Sequence, residues 1–117
     1  MKTQFKLWID DMREPPENEP NYTFDGSGWL WCRSTKEAIT AIRMYDRSYN
    51  AETILIDLDH DSCTYQDEGG AYINILNWLE SSGMVDTGYF FHIHSMNPVG
   101  VQNMRTIIEH NGWREVK

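Results

Sequence analysis

Acids and imidazoles cluster where three apolar runs end. Asp10 and Asp11 follow FKLWI, Asp57-Leu58-Asp59-His60-Asp61 follows TILI, and His94-Ser95-Met96-Asn97 follows YFFHI. Carboxylates gathered together repel one another and are costly to bury unpaired, so a cation or a shared proton is the natural way to hold them. Carboxylates with backbone carbonyls and water suit Mg²⁺, whereas recruiting His60 or His94 would favour Mn²⁺, Fe²⁺ or Zn²⁺. His94 has the chemistry of a ligand or of a general acid and base near neutral pH. Beside it, Ser95 can donate to a phosphate oxygen, Asn97 shares that edge, and the amides that lead into the next helix add a partly positive end. Arg13, just past the first acid pair, can hold a phosphate bidentately.

Each of these residues also has a plainer use. A single Asp caps a helix or makes a turn, and Asp61 and Asp67 read as loop residues. His92 shares a strand face with His94 and reads as a packing residue. The tryptophans read as core or loop-packing side chains, Trp29 and Trp31 the least clearly.

The elements that must position the cluster follow from periodicity. Phe5 to Ile9, Trp29 to Cys32, Thr53 to Ile56 and Gly88 to His94 read as strands, with Trp113 to Val116 as a short closing one. Ser34 and Glu37 form an S-x-x-E capping box ahead of a helix whose stripe is Ala38, Ile39, Ala41, Ile42 and Tyr45. Ala71, Tyr72, Ile75, Leu76 and Leu79 suit a second helix closed by Ser81-Ser82-Gly83. Pro98 opens a third, with Val101, Met104, Ile107 and Ile108 buried and Asn111-Gly112 as its stop. The stretch MREPPENEPNYTFDGSG is rich in Pro, Gly, Asn and Asp and, at about 17 residues, is long for a structureless connection. This order predicts a mostly parallel α/β sheet with helices on its faces, in which ligands bind beyond the carboxyl ends of the strands at the switch in strand order.

The 117 residues, 40% of them apolar and 13% aromatic, suit one domain, 1–117, with its own core. A formal charge of −8 opposes generic nucleic-acid binding but allows a small phosphorylated ligand offset by a cation or by Arg13, Arg33, Lys36 and Arg105. Cys32 and Cys63 lack CxxC spacing and read as free thiols. No segment approaches the roughly 20 apolar residues that span a bilayer, and none reads as a leader, so the expected location is the cytoplasm.

The segments LWIDDMREPP, ILIDLDHD and FHIHSMNPVGVQNM resemble the cyclic-phosphate processing receiver domains, nearly end to end. Response-regulator receivers are similar at greater distance, with the acid pair at Asp10 and Asp11, the third-strand Asp at Asp57 and the Ser or Thr at Ser95. The resemblance implies a flavodoxin-like, receiver-like fold with a five-stranded, mostly parallel sheet and about three helices. It implies a divalent metal, Mg²⁺ or Mn²⁺, held by Asp10, Asp11 and Asp57 with the backbone of Asp59 contributing, and Asp57 as a phosphoacceptor. The chain departs from a simple receiver: the Pro-rich loop replaces the first helix, the last helix is absent, His60 and His94 are added, and only the terminal Lys117 matches the receiver lysine.

The function this implies is metal-dependent hydrolysis of a cyclic phosphate or related phosphoester. Asp57, His94, Ser95 and His60 would be its catalytic residues, and Arg13, Asn97 and Ser95 would bind the substrate. Two other readings compete: a non-catalytic receiver-like module that binds metal and phosphate, and an acidic domain that interacts with or inhibits a basic protein partner.

Overall fold

The computed structural model describes residues 4–15, 29–48 and 53–116. Its elements run β1 (Gln4–Ile9), β2 (Trp29–Cys32), α1 (Thr35–Ser48), β3 (Thr53–Leu58), a 3-10 turn (Cys63–Tyr65), α2 (Ile73–Ser82), β4 (Tyr89–Ile93), α3 (Pro98–His110) and β5 (Arg114–Glu115). The strands form one sheet in the order β2-β1-β3-β4-β5, and every pairing is parallel.

The helix ends follow the side chains expected to make them. Ser34 Oγ accepts from Glu37 N at 3.0 Å, while Glu37 Oε1 accepts from Arg33 N at 2.6 Å, one residue beyond the N-cap amide of the usual box. Asn97 caps α3 by accepting from Gly100 N at 3.0 Å, with Pro98 in the first turn. Strand β5 is only two residues long, and a bidentate pair from Arg105 of α3 to Glu115 holds it in place, with Nη2 to Oε2 at 2.6 Å and Nε to Oε1 at 2.9 Å.

Helices were expected on both faces of the sheet, but α1, α2 and α3 all lie on one. The connections from β2 to β3, β3 to β4 and β4 to β5 step the same way across the sheet, and right-handed crossovers then stack their helices on the same side. Between them lies the core: Phe5, Leu7, Ile9, Ile54, Ile56, Leu58, Tyr89 and Phe91 pack on Ala38, Ile42 and Tyr45 of α1, Ile75, Leu76 and Leu79 of α2, and Met104 and Ile108 of α3. Burying each of these larger side chains contributes about 1.5–3 kcal/mol. The connection from β1 to β2 steps the other way and carries the Pro-rich loop, whose residues 16–28 lie outside the described ones.

The second difference bears directly on the site. Strand β3 extends two residues beyond Ile56, because Leu58 turns inward to complete the apolar face and Asp57 points to the opposite one. Register across that opposite face sets Trp31, Trp8, Asp57 and His92 side by side in one row. Asp57 is therefore a strand residue, 5% exposed, rather than part of a strand exit.

Candidate functional site

The order β2-β1-β3 makes β1 and β3 the strands at which the chain's direction across the sheet reverses, and their carboxyl ends are where the acids meet. Backbone bonds fasten the exits together: Asp10 N donates to Cys32 O (3.2 Å), Asp59 N to Ile9 O (2.9 Å) and His94 N to Leu58 O (2.9 Å). Asp10 is fully buried. Its Oδ1 accepts from Met12 N (2.9 Å) and Arg13 N (2.8 Å), so its carboxylate also shapes the turn that carries Arg13.

His94 lies between two carboxylates. Its Nδ1 is 2.7 Å from Asp57 Oδ1 and its Nε2 is 2.9 Å from Asp10 Oδ2. A neutral imidazole has one bare nitrogen, which would repel a carboxylate oxygen, so a ring that meets an ionised carboxylate at each nitrogen is an imidazolium. Burial alone would depress its pKa, but hydrogen bonds to Asp57 and Asp10, together with their charges, raise it above the usual histidine value. The ring also stacks on Trp8, with centroids 3.8 Å apart and planes within 3°. Trp8 in turn donates from Nε1 to Arg13 O at 2.8 Å.

Two residues set aside as packing therefore belong to this network. His92 Nδ1 is 2.9 Å from Asp57 Oδ1, giving a chain from His92 through Asp57 and His94 to Asp10. Trp8 floors the imidazole. The signal for both was available in strand periodicity: Trp8 is two residues before Asp10 and His92 two before His94, so each shares its partner's face. What sequence could not supply was the register that sets both beside Asp57.

Above this chain opens a cleft of about 370 Å³, lined by Asp10, Asp11, Asp59, Arg13, Ser95 and Asn97 among others. Six of the sequence-nominated residues thus share one cavity. Asp57 and His94 do not line it and connect to it through Asp10. His60 does not line it either: its Nδ1 is 2.9 Å from Asp61 Oδ1, and its ring lies against Gly100 of α3.

A cation suits this donor set. Asp11 Oδ2 is a buried carboxylate oxygen with no hydrogen-bond partner among the described residues, which is costly unless something positive meets it. Asp10 and Asp59 place carboxylate oxygens within 4.8 Å of each other, and the His94 nitrogen at the same distance is already engaged by a carboxylate, so the two acids are the available donors. The same negative field reaches neighbouring groups. Asp11 foremost raises the Cys63 thiol, and burial followed by Asp11, Asp10 and Asp59 holds the Tyr72 phenol protonated far above its ordinary value. That phenol donates to Arg33 O at 2.6 Å and so ties the β2 exit to the start of α2.

Residues 5–110 match the family model described as the cyclic-phosphate processing receiver domain. The chain belongs to that family. No curated protein and no solved structure matches it. The all-parallel five-stranded sheet with three helices is the flavodoxin-like receiver fold, here with its described helices on one face. Within this cyclic-phosphate processing receiver domain, Asp57 meets the imidazoles of His92 and His94 at a single oxygen. No described helix is long and apolar enough to cross a membrane.

Proposed function

We propose that this receiver domain hydrolyses a cyclic phosphodiester with the help of a divalent metal, Mg²⁺ or Mn²⁺. Asp10, Asp11 and Asp59 would hold the ion. The observation that carries the reading is the buried Asp11 Oδ2, without a hydrogen-bond partner among the described residues, in a side chain that lines the same cleft as Arg13, Ser95 and Asn97. A divalent cation there would supply positive charge against the phosphoryl oxygens.

The chain's own residues do the rest. Arg13 clamps non-bridging oxygens, and its place in the turn is set by the Asp10 bond to its amide. Ser95 Oγ already accepts from Asn97 N at 3.1 Å, which leaves its proton free to donate to the anion. Water attacks phosphorus, one ring P–O bond breaks, and a proton from the water passes by way of solvent to the leaving oxygen, so that the product is a phosphomonoester with a free hydroxyl. His94 keeps Asp10 in place as a doubly hydrogen-bonded cation.

The test is a panel of cyclic phosphodiesters with Mg²⁺ or Mn²⁺. Turnover that chelator removes and that Asp11→Asn lowers at least about a hundredfold supports the proposal. Wild-type protein that binds metal yet yields no product across the panel overturns it.

One observation favours a second reading, in which the domain binds metal and phosphate without turnover: both ring nitrogens of His94 are already engaged by carboxylates, leaving none for proton transfer. In that case a phosphate mimic with Mg²⁺ raises the melting temperature and no product forms.

A further inference from the structure

We infer that His60 and Gly100 form a brace between the two walls of the cleft, and that His60 is a positioning residue for Asp59 rather than a metal ligand or proton carrier. The part concerning Asp59 rests on the metal reading above, whereas the brace itself does not.

Gly100 sits in the first turn of α3 with no left-handed φ, so backbone conformation does not demand glycine there. Space does. A Cβ on Gly100 would overlap Cδ2 and Cγ of His60 and stand 2.8 Å from its Nε2. These atoms belong to the body of the imidazole, not to the end of a flexible chain, and the ring is held at its other edge. Nδ1 lies 2.9 Å from Asp61 Oδ1 and 3.4 Å from Asn97 Nδ2, and the side chain is 19% exposed. With Nδ1 committed and Nε2 laid against α3, neither nitrogen is left to serve the cleft.

What the ring joins is specific. His60 follows Asp59 on the wall formed by the β3 exit, and its own amide donates to Asp59 Oδ1 at 2.8 Å. That bond occupies one carboxylate oxygen and leaves the other for a cation. On the facing wall, Asn97 lines the cleft, caps α3 at Gly100 N and lies beside the same imidazole. Tyr72 N donates to His60 O at 3.3 Å and secures the loop from below. Withdrawing the ring, or pushing it off with a methyl group, separates the walls and frees Asp59 to turn.

Thermal melts of wild type, Gly100→Ala, His60→Ala and the double variant test the brace without any ligand. Ala in place of a helical Gly ordinarily stabilises, so Gly100→Ala should raise the melting temperature by about 2–4 °C in the His60→Ala background. In the wild-type background the overlap should lower it by about 4–12 °C. A shift of the same sign in both backgrounds overturns the brace.

Mn²⁺ titration by calorimetry tests positioning. His60→Ala and Gly100→Ala should each weaken binding about tenfold, and His60→Phe, which keeps a flat ring but no nitrogen, should restore it to within about threefold. His60→Phe as weak as His60→Ala would make His60 a ligand and overturn the assignment, as would His60→Ala binding like wild type. Wild-type protein that takes up no Mn²⁺ overturns the metal reading and the role at Asp59 together, and the sign reversal in the melts still decides the brace.

Discussion

Replacing His94 by Ala in the metal-free protein should be among the most destabilising single changes available. The imidazolium separates two carboxylates that are themselves almost wholly inaccessible, Asp10 at 0% and Asp57 at 5% exposure. Without it they face each other across the vacated space. Removing one partner of a buried, hydrogen-bonded charge network costs about 3–5 kcal/mol, and loss of the parallel stack on Trp8 adds about 0.5–1.5 kcal/mol. For a chain of this length about 4 °C of melting temperature corresponds to each kcal/mol, so melts in chelator should show a fall of roughly 14–26 °C. The sign of the pH dependence follows from the raised pKa of folded His94. Its stabilisation is fully present below the unfolded value of about 6.5 and is lost as pH rises through the folded value. The gap between wild type and His94→Ala should therefore be widest near pH 6 and narrow toward alkaline pH. A fall of less than about 4 °C, or a gap that widens with pH, would refute the imidazolium assignment.

Three further outcomes follow from particular contacts. Asp11→Asn removes the charge of a half-buried carboxylate whose Oδ2 has no hydrogen-bond partner among the described residues, so it should leave the metal-free protein as stable or about 1 kcal/mol more stable while abolishing the thermal shift with Mg²⁺ or Mn²⁺. In wild type that shift should reach about 2.7 kcal/mol at a hundredfold excess over Kd, read by scanning calorimetry. Ser34→Ala loses the cap on Glu37 N and should cost about 1 kcal/mol by urea denaturation, with Ser34→Asp recovering most of it. Arg105→Leu leaves Glu115, 9% exposed in its side chain, without its bidentate partner; β5 should fray, with faster amide exchange at Val116, whose N–H bonds Phe91 O at 2.7 Å.

Much of the site was legible because acids clustered at the ends of several apolar runs exceed what caps and turns require, and because parallel α/β sheets gather strand exits at one edge. Asp10, Asp11, Asp59, Arg13, Ser95 and Asn97 were all nominated on that ground, and they line one cleft. Other assignments depended on matters that one chain read alone does not contain. Asp57 looked like an exit residue because Asp interrupts an apolar run, yet β3 continues through it, since Leu58 still had a core position to fill. His92 and Trp8 looked like packing because a side chain's neighbours across a sheet are set by the register of other strands. His60 falls beside the acids in the chain, and the seat its ring takes against Gly100 depends on the approach of α3, a helix from a distant part of the sequence.

The sequence by itself determined the alternation of strands and helices, the caps that begin α1 and α3, and the polar edge on which the acids converge. These are local properties, set by periodicity and by side chains bonding within a few residues of themselves. Tertiary structure alone decided the helices' shared face, the imidazolium between Asp10 and Asp57, and the Asp11 oxygen left without a partner among the described residues. Each of those depends on distances between residues far apart in the chain. Such distances exist only once crossover handedness and strand register have brought the segments together.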